Sequence, residues 1–318
     1  MSLASIFESA ILPIVAIAAG GFVLGRVRDV DPDPLNTVTV YVLVPALVFD
    51  SLATTSLDPR TLGSIAAGVL GFTLGMVVVS ELVGRALGER EPLLSALVLV
   101  AAFSNSGNYG VPLSSFAFGG TGRSTAVVFM TAQGVLLYTL GVYVASRSSN
   151  RGLASGLKQV FTIPLVYAVL AALGARWAGV VPPTNGTVMS AIRLVGNAAI
   201  PLMLLILGLQ LSRTDYRAAL TKVGTPTALK TLVAPVVGLG VAVAVGFADQ
   251  TVARTFVLET ATPSAVTPLI LLVEFGDGAT VGGLSIAEYA STVVFVTTVL
   301  SVPVLTLLIT ALENGLLV

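Results

Sequence analysis

The sequence predicts an all-α integral membrane protein of ten transmembrane helices, arranged as two inverted five-helix repeats with helices 4 and 9 broken. Three observations carry that expectation. Mean hydropathy is +0.97 and only 10% of the 318 residues are charged, against roughly 25% in soluble domains. Apolar stretches long enough to span a bilayer recur ten times. Prolines repeat at matched spacing in the two halves of the chain.

A hydrocarbon core of about 30 Å needs roughly 20 apolar residues per helical span. The stretches that meet this cover residues 5–25, 35–54, 61–85, 92–118, 122–146, 156–178, 186–211, 226–247, 251–275 and 284–312. Connections are short throughout, and no stretch reads as a soluble domain. No Lys or Arg precedes span 1, while Arg26 and Arg28 follow it directly. Span 1 therefore reads as a retained helix with its N-terminus outside, not as a signal peptide. With that orientation the cytoplasmic loops hold Arg26, Arg28, Arg85, Arg90, Arg147, Arg151, Lys158, Arg213, Arg217 and Lys222. The external loops hold Arg60, Arg123, Arg176 and Arg254. The excess of inward basic residues puts both termini outside a plasma membrane.

Proline is rare inside helices, so its positions make a ruler. Pro45 in span 2 and Pro112 in span 4 are 67 residues apart, and so are Pro201 in span 7 and Pro268 in span 9. Pro13 in span 1 matches Pro164 in span 6, and Phe118-Gly119 matches Phe275-Gly276. Four coincidences in the same order along the two halves predict a duplication, with repeats over 1–147 and 156–318. Five spans is an odd number, so the second copy enters the membrane inverted, as in many secondary transporters.

Spans 4 and 9 carry the chemistry. Asn105 to Pro112 gathers two Asn and three Gly or Pro residues near mid-membrane, and Pro263 and Pro268 flank Ser264 and Thr267. Gly and Pro cost about 1 and 3 kcal/mol inside a helix, so both spans are expected to break. Unwound backbone at that depth must be buried in protein or line a wet cavity. Pro112 and Pro268 suit the first turn of each following half-helix. The N-termini of those half-helices would favour an anion at the midplane. Ser104 and Ser106 add polar groups without formal charge. The substrate expected from these groups is a small organic anion, most plausibly a carboxylate.

Charges inside spans invite functional readings. Glu259, four residues before Pro263, is the ion-coupling candidate for H⁺ or Na⁺; the alternative is a neutral buried carboxyl, or one paired across helices. Arg193 and Lys230 are expected to snorkel or pair. Asp50, Glu274 and Asp277 are expected as solvated span ends. Gln133 and Thr131 read as interhelical hydrogen-bonding groups, with the alternative of facing the break. GFVLG (21–25) and GFTLG (71–75) read as close helix packing.

The absences are as useful. No Cys and no His removes thiol nucleophiles, Ser-His dyads and HExxH zinc sites. FGDG around Asp277 lacks the first Gly of a GxGD aspartyl protease motif, and no Walker motif is present. The chain is therefore expected not to be an enzyme, a primary pump or a metalloprotein. Its net charge of +0 argues against a nucleic-acid partner.

NSGNYGVPL followed by FG resembles the fourth-helix signature of the auxin efflux carrier family, which includes bacterial and archaeal permeases. PSAVTPLILLVEFG is similar to the ninth-helix segment of its plant members, and VYVLVPALVF and FVTTVLSVPVLTLLI fit spans 2 and 10. The resemblance covers nearly the whole chain. It implies a ten-helix fold akin to bile acid:sodium symporters, with spans 4 and 9 crossing at the substrate site. It also implies elevator motion of a transport domain (spans 3–5 and 8–10) against a scaffold (spans 1, 2, 6 and 7). A homodimer through the scaffold is expected as well. The chain lacks the long loop between spans 5 and 6 of the plant members, so regulation through such a loop is not expected. Microbial relatives are linked to dicarboxylates such as malate or malonate. The substrate-binding set is then Asn105, Ser106, Asn108, Tyr109, Pro112, Ser264, Thr267 and Pro268, with no cofactor beyond an H⁺ or Na⁺ coupling ion. A sodium-coupled symporter of larger amphipathic, bile acid-like anions, or a channel or sensor of the same fold, is the alternative.

Overall fold

A computed structural model describes residues 5, 7–148, 164–213, 220, 222–275, 280–281 and 284–315. Among these, eleven helices account for nearly all of the chain. They are α1 (Phe7–Arg28), α2 (Pro32–Ala53), α3 (Pro59–Ala86), α4 (Leu93–Ala102), α5 (Ser106–Ala145), α6 (Pro164–Ala178), α7 (Thr187–Arg213), α8 (Gly224–Val245), α9 (Gln250–Ala261), α10 (Thr267–Phe275) and α11 (Ile286–Glu313). Seven of them (α1, α2, α3, α5, α7, α8 and α11) are long and apolar enough to cross a membrane. Large apolar side chains face outward, among them Trp177 (92% exposed), Leu194, Val27 and Val236. Such a surface suits lipid, not water, and the chain is a multi-pass membrane protein.

Helix starts follow local chemistry. Asp31-Pro32, Asp58-Pro59 and Asp249 provide N-caps whose carboxylates accept backbone N–H groups of the first turn. The Thr61 hydroxyl and N–H, with the Arg60 N–H, hold the Asp58 carboxyl below its ordinary range. Ser285 and Glu288 form a reciprocal capping box on α11. That helix follows a two-residue antiparallel ribbon, Thr280 opposite Ser285 and Val281 opposite Leu284.

Proline shapes the helices in a recurrent way. Pro13, Pro45, Pro112 and Pro235 each lie two residues past a π turn, at Phe7–Ile11, Thr39–Leu43, Ser106–Gly110 and Leu229–Val233. A proline ring clashes with the carbonyl four residues earlier and donates no hydrogen bond to it. A π turn absorbs one extra residue and eases that clash. A fifth π turn, Leu137–Gly141, has no such proline.

The stretch 92–118 is not one helix. α4 stops at Ala102, residues 103–105 are not helical, and α5 restarts at Ser106. α5 then turns sharply at Gly119, whose φ of 63° favours glycine, so that 106–118 and 120–145 run as separate rods. The stretch 251–275 is likewise α9, a non-helical segment over 262–266, and α10. Two apolar cores hold the bundle. One gathers α2, α6 and α7 through Leu47, Val48, Ala172, Met189, Ala199 and Met203, with Val111 and Ala126 from α5. The other packs α3, α5 and α9 through Phe72, Phe129 and Phe256; the Phe129 and Phe256 rings meet edge-on at 5.5 Å. α1 lies closely on α7, because a Cβ at Gly21 or Gly208 would overlap the Leu205 or Ala18 backbone. The GFVLG segment thus does what helix packing requires of it.

Candidate functional site

The non-helical segments 103–105 and 263–265 pair with each other. Ser104 and Ser264 face one another in an antiparallel bridge. The Asn105 N–H donates to Pro263 O at 2.7 Å, and the Ala265 N–H to Phe103 O at 3.0 Å. The serine hydroxyls repeat the exchange: Ser264 donates to Val100 O at 2.6 Å and Ser104 to Thr260 O at 3.3 Å. Each hydroxyl thus reaches the carbonyl four residues before the other serine, a local two-fold arrangement. It satisfies backbone groups that would be costly to leave unpaired at this depth.

A side chain from α5 completes the first segment and one from α11 the second. The Gln133 amide accepts the Ser104 N–H at 3.2 Å and donates to Ser104 O at 2.6 Å, as a neighbouring strand would. It also donates to Ser106 Oγ at 3.1 Å. On the other side Thr297 Oγ1 accepts the Ser264 N–H at 3.2 Å. Gln133 therefore faces the break, whereas the Thr131 hydroxyl stays within its own helix, donating to Val127 O. Gln133→Leu is expected to cost about 1–3 kcal/mol for each Ser104 group it orphans. A lowered unfolding midpoint of the detergent-purified protein checks this, and an unchanged midpoint would show the clamp to be dispensable.

Glu259 lies in the last turn of α9, fully buried. The Ser114 hydroxyl donates to its Oε1 at 2.6 Å, while Oε2 has no hydrogen-bond partner. The carboxyl packs flat on Gly110, where any Cβ would overlap it. Lys230, at 0% exposure, approaches from α8. Its ammonium donates to Ser104 Oγ at 2.6 Å and Thr260 O at 3.0 Å, and lies 5.7 Å from the centre of the Phe72 ring. No ion pair within 4 Å joins Lys230 and Glu259, both among the described residues. The snorkelling expected of Lys230 is thus corrected. It sits on the inner face of α8, where the stem leads to the break and not to an interface.

The remaining candidates divide. Asn105 is 6% exposed, and its Nδ2 has no hydrogen-bond partner. Its backbone carbonyl accepts the Tyr109 and Gly110 N–H groups. Asn108 and Thr267 are half-buried. Ser106 is tied to Gln133, and Ser264 to Val100 and Thr297. The Tyr109 hydroxyl lies 3.0 Å from that of Ser301, and Tyr109 lines an apolar cavity of about 290 Å³ between α1, α7 and α11. Pro268 stands in the first turn of α10 as expected, but Pro112 does not start its half-helix. The π turn Ser106–Gly110 precedes it and moves the start to Ser106. A second cavity, about 530 Å³, runs from a polar rim at Asp31, Arg213 and Glu288 down to Val266 and Leu269 beside the second break.

Asp50 is also corrected. The expected solvated end is buried, with Arg123 Nη2 at 3.3 Å and Arg193 Nε at 3.4 Å. Two helices remote in sequence bring those guanidiniums over the end of α2, and Arg123 also donates to Ser51 and Asn197. Arg193 pairs, as expected. Arg151, Lys158, Arg217, Gly276 and Asp277, together with the Glu274 side chain, lie outside the described residues.

An uncharacterized transporter from Methanothermobacter thermautotrophicus is 26% identical over 270 residues, 83% of this chain and 87% of the relative. A protein from Rhizobium meliloti named as a candidate malonate transporter is 23% identical over 319 residues, 96% of each chain. The model of the membrane transport protein family matches residues 6–160 and 153–309. The chain belongs to that family, the auxin efflux carrier-like group of membrane transporters that its span-4 and span-9 motifs resemble, and is a transporter, not an enzyme.

Proposed function

We propose that the chain is a secondary transporter of small organic anions, carboxylates above all, working by elevator-type alternating access. The observation that carries this reading is the paired break at Ser104 and Ser264, which leaves two helix restarts, Ser106 and Thr267, beside one spot. Helix N-termini offer N–H groups and a partial positive charge to an anion. Asn105, with its unpartnered Nδ2, and Asn108 hold the carboxylate in this reading. Ser106, Tyr109, Pro112, Ser264, Thr267 and Pro268 shape the site around them.

In the same reading the chain crosses the membrane ten times. α4 with 106–118 makes span 4, 120–145 span 5, and α9 with α10 span 9. Residues 1–147 and 156–318 are then inverted repeats of five, and the local two-fold exchange of hydrogen bonds at the breaks supports that symmetry. Spans 1, 2, 6 and 7 form the scaffold and spans 3–5 and 8–10 the moving domain. The core shared by α2, α6 and α7 and the aromatic cluster of α3, α5 and α9 support the division. The scaffold would also carry a homodimer contact. Both termini lie outside a plasma membrane.

Flux into proteoliposomes tests this directly, with malate, malonate and indole-acetate-like anions offered under separate Na⁺ and proton gradients. Saturable uptake of a carboxylate is expected, malonate first given the name of the Rhizobium meliloti relative. Absence of saturable flux for all of them would defeat the reading. Glu259 serves as the coupling group, its Oε2 open to a proton or cation. Glu259→Gln is therefore expected to alter the pH or Na⁺ dependence of flux. If both dependences match the parent, Glu259 is structural.

A further inference from the structure

We propose that Lys230 is a built-in cation: its ammonium fills a monovalent-cation site at the paired breaks, so the transporter needs no Na⁺ or K⁺ there. The site is defined by what the ammonium touches. Thr260 O belongs to the last turn of α9, which ends at Ala261, and helix C-termini carry a partial negative charge. Ser104 Oγ supplies a second oxygen, and the Phe72 ring a face that attracts cations. A carbonyl at a half-helix C-terminus beside unwound backbone is what membrane carriers offer to a dehydrated coupling ion. Here the ligand set is already occupied, by a side chain of the same chain.

The twin position sharpens the point. On the other side of the local two-fold, Val100 O takes the Ser264 hydroxyl directly at 2.6 Å. Its counterpart, the Ser104 hydroxyl, lies 3.3 Å from Thr260 O, and Lys230 Nζ comes within 3.0 Å or less of both oxygens. The cation is thus added to one half of a symmetric frame, not demanded by the frame. A lysine at 0% exposure cannot snorkel, and a buried ammonium persists only with hydrogen-bond partners and opposite charge. Glu259 forms no ion pair with it within 4 Å, so an incoming anion would supply that charge at close range. This consequence rests on the anion-carrier reading; the cation site itself does not.

Lys230→Ala removes the ammonium and leaves its ligands. Thermal unfolding of the detergent-purified variant is followed in choline chloride, NaCl, KCl and methylammonium chloride at equal ionic strength. The variant is expected to melt below the parent in choline. One small cation should raise its midpoint saturably, by about 4 °C or more at a hundredfold excess over Kd, while the parent responds less. Lys230→Met, which keeps the bulk without the charge, should melt low in every salt. Equal midpoints for Lys230→Ala in all four salts would overturn the proposal, as would a salt response of Lys230→Ala no larger than that of the parent. If Lys230→Ala is recovered folded only when a small cation is present throughout purification, the proposal stands; if it is recovered in none, it falls. In liposomes, malonate flux of Lys230→Ala should require the cation that restores its midpoint, over and above any Na⁺ dependence of the parent. A parent without malonate flux would count against the carrier reading alone, because the unfolding series decides the cation site separately.

Discussion

Asn105→Ala is expected to abolish substrate-dependent flux while leaving the unfolding midpoint close to that of the parent. The two outcomes separate because backbone and side chain of Asn105 do different work. The backbone builds the break: its N–H reaches Pro263 O, and its carbonyl takes the Tyr109 and Gly110 N–H groups. Alanine keeps all three bonds. The side chain is buried, yet its Nδ2 donates to nothing within the protein. Removing a donor that has no partner costs the fold little, since no bond is lost. A hydrogen bond to a charged ligand group is worth about 1.5–3 kcal/mol, which is roughly 10- to 150-fold in affinity. Flux below saturation should therefore fall to background in a filter assay. Unchanged flux with unchanged melting would remove Asn105 from the site.

The positions of the breaks were legible in the sequence, because proline and glycine act locally. Their pairing was legible only in outline. The prolines Pro112 and Pro268 are 156 residues apart, whereas the bridged serines Ser104 and Ser264 are 160 apart. About one turn separates the two registers, and it is taken up by the π turn Ser106–Gly110, which no residue count announces. The burial of Lys230 and Asp50 is hidden in the sequence for another reason. Their burial depends on groups from other helices, Ser104 and Thr260 for one, Arg123 and Arg193 for the other. Distance from a span end said nothing about which face of the helix they occupy. One signal was available: a lysine inside an apolar run is itself a functional flag. Ser114 and Gly110 carried none, because a small residue before or after a proline reads as helix packing until the carboxyl beside it is seen.

Gly110→Ala is expected to reverse sign with the residue at 259. Gly110 has ordinary helical dihedrals, φ −66° and ψ −52°, so its backbone does not require glycine. Alanine in an open helix would gain up to about 1 kcal/mol over glycine. Here the added Cβ overlaps the Glu259 carboxyl, which is held on its other side by Ser114. Overpacking a tight core costs about 1–3 kcal/mol. Displacing the carboxyl also breaks its one hydrogen bond, the bond from Ser114, worth about 1.5–3 kcal/mol when the acceptor is charged. Gly110→Ala alone should therefore lower the unfolding midpoint sharply and abolish flux. In a Glu259→Ala background the obstacle is gone, and the same substitution should be neutral or stabilising. Residues in contact commonly show interaction energies of about 0.5–3 kcal/mol in such cycles, and this pair should lie at the upper end. Additive effects across the cycle would mean that Gly110 is glycine for some reason other than Glu259. The motif residue and the buried carboxyl would then be independent features, and coupling through Glu259 would lose its link to the break.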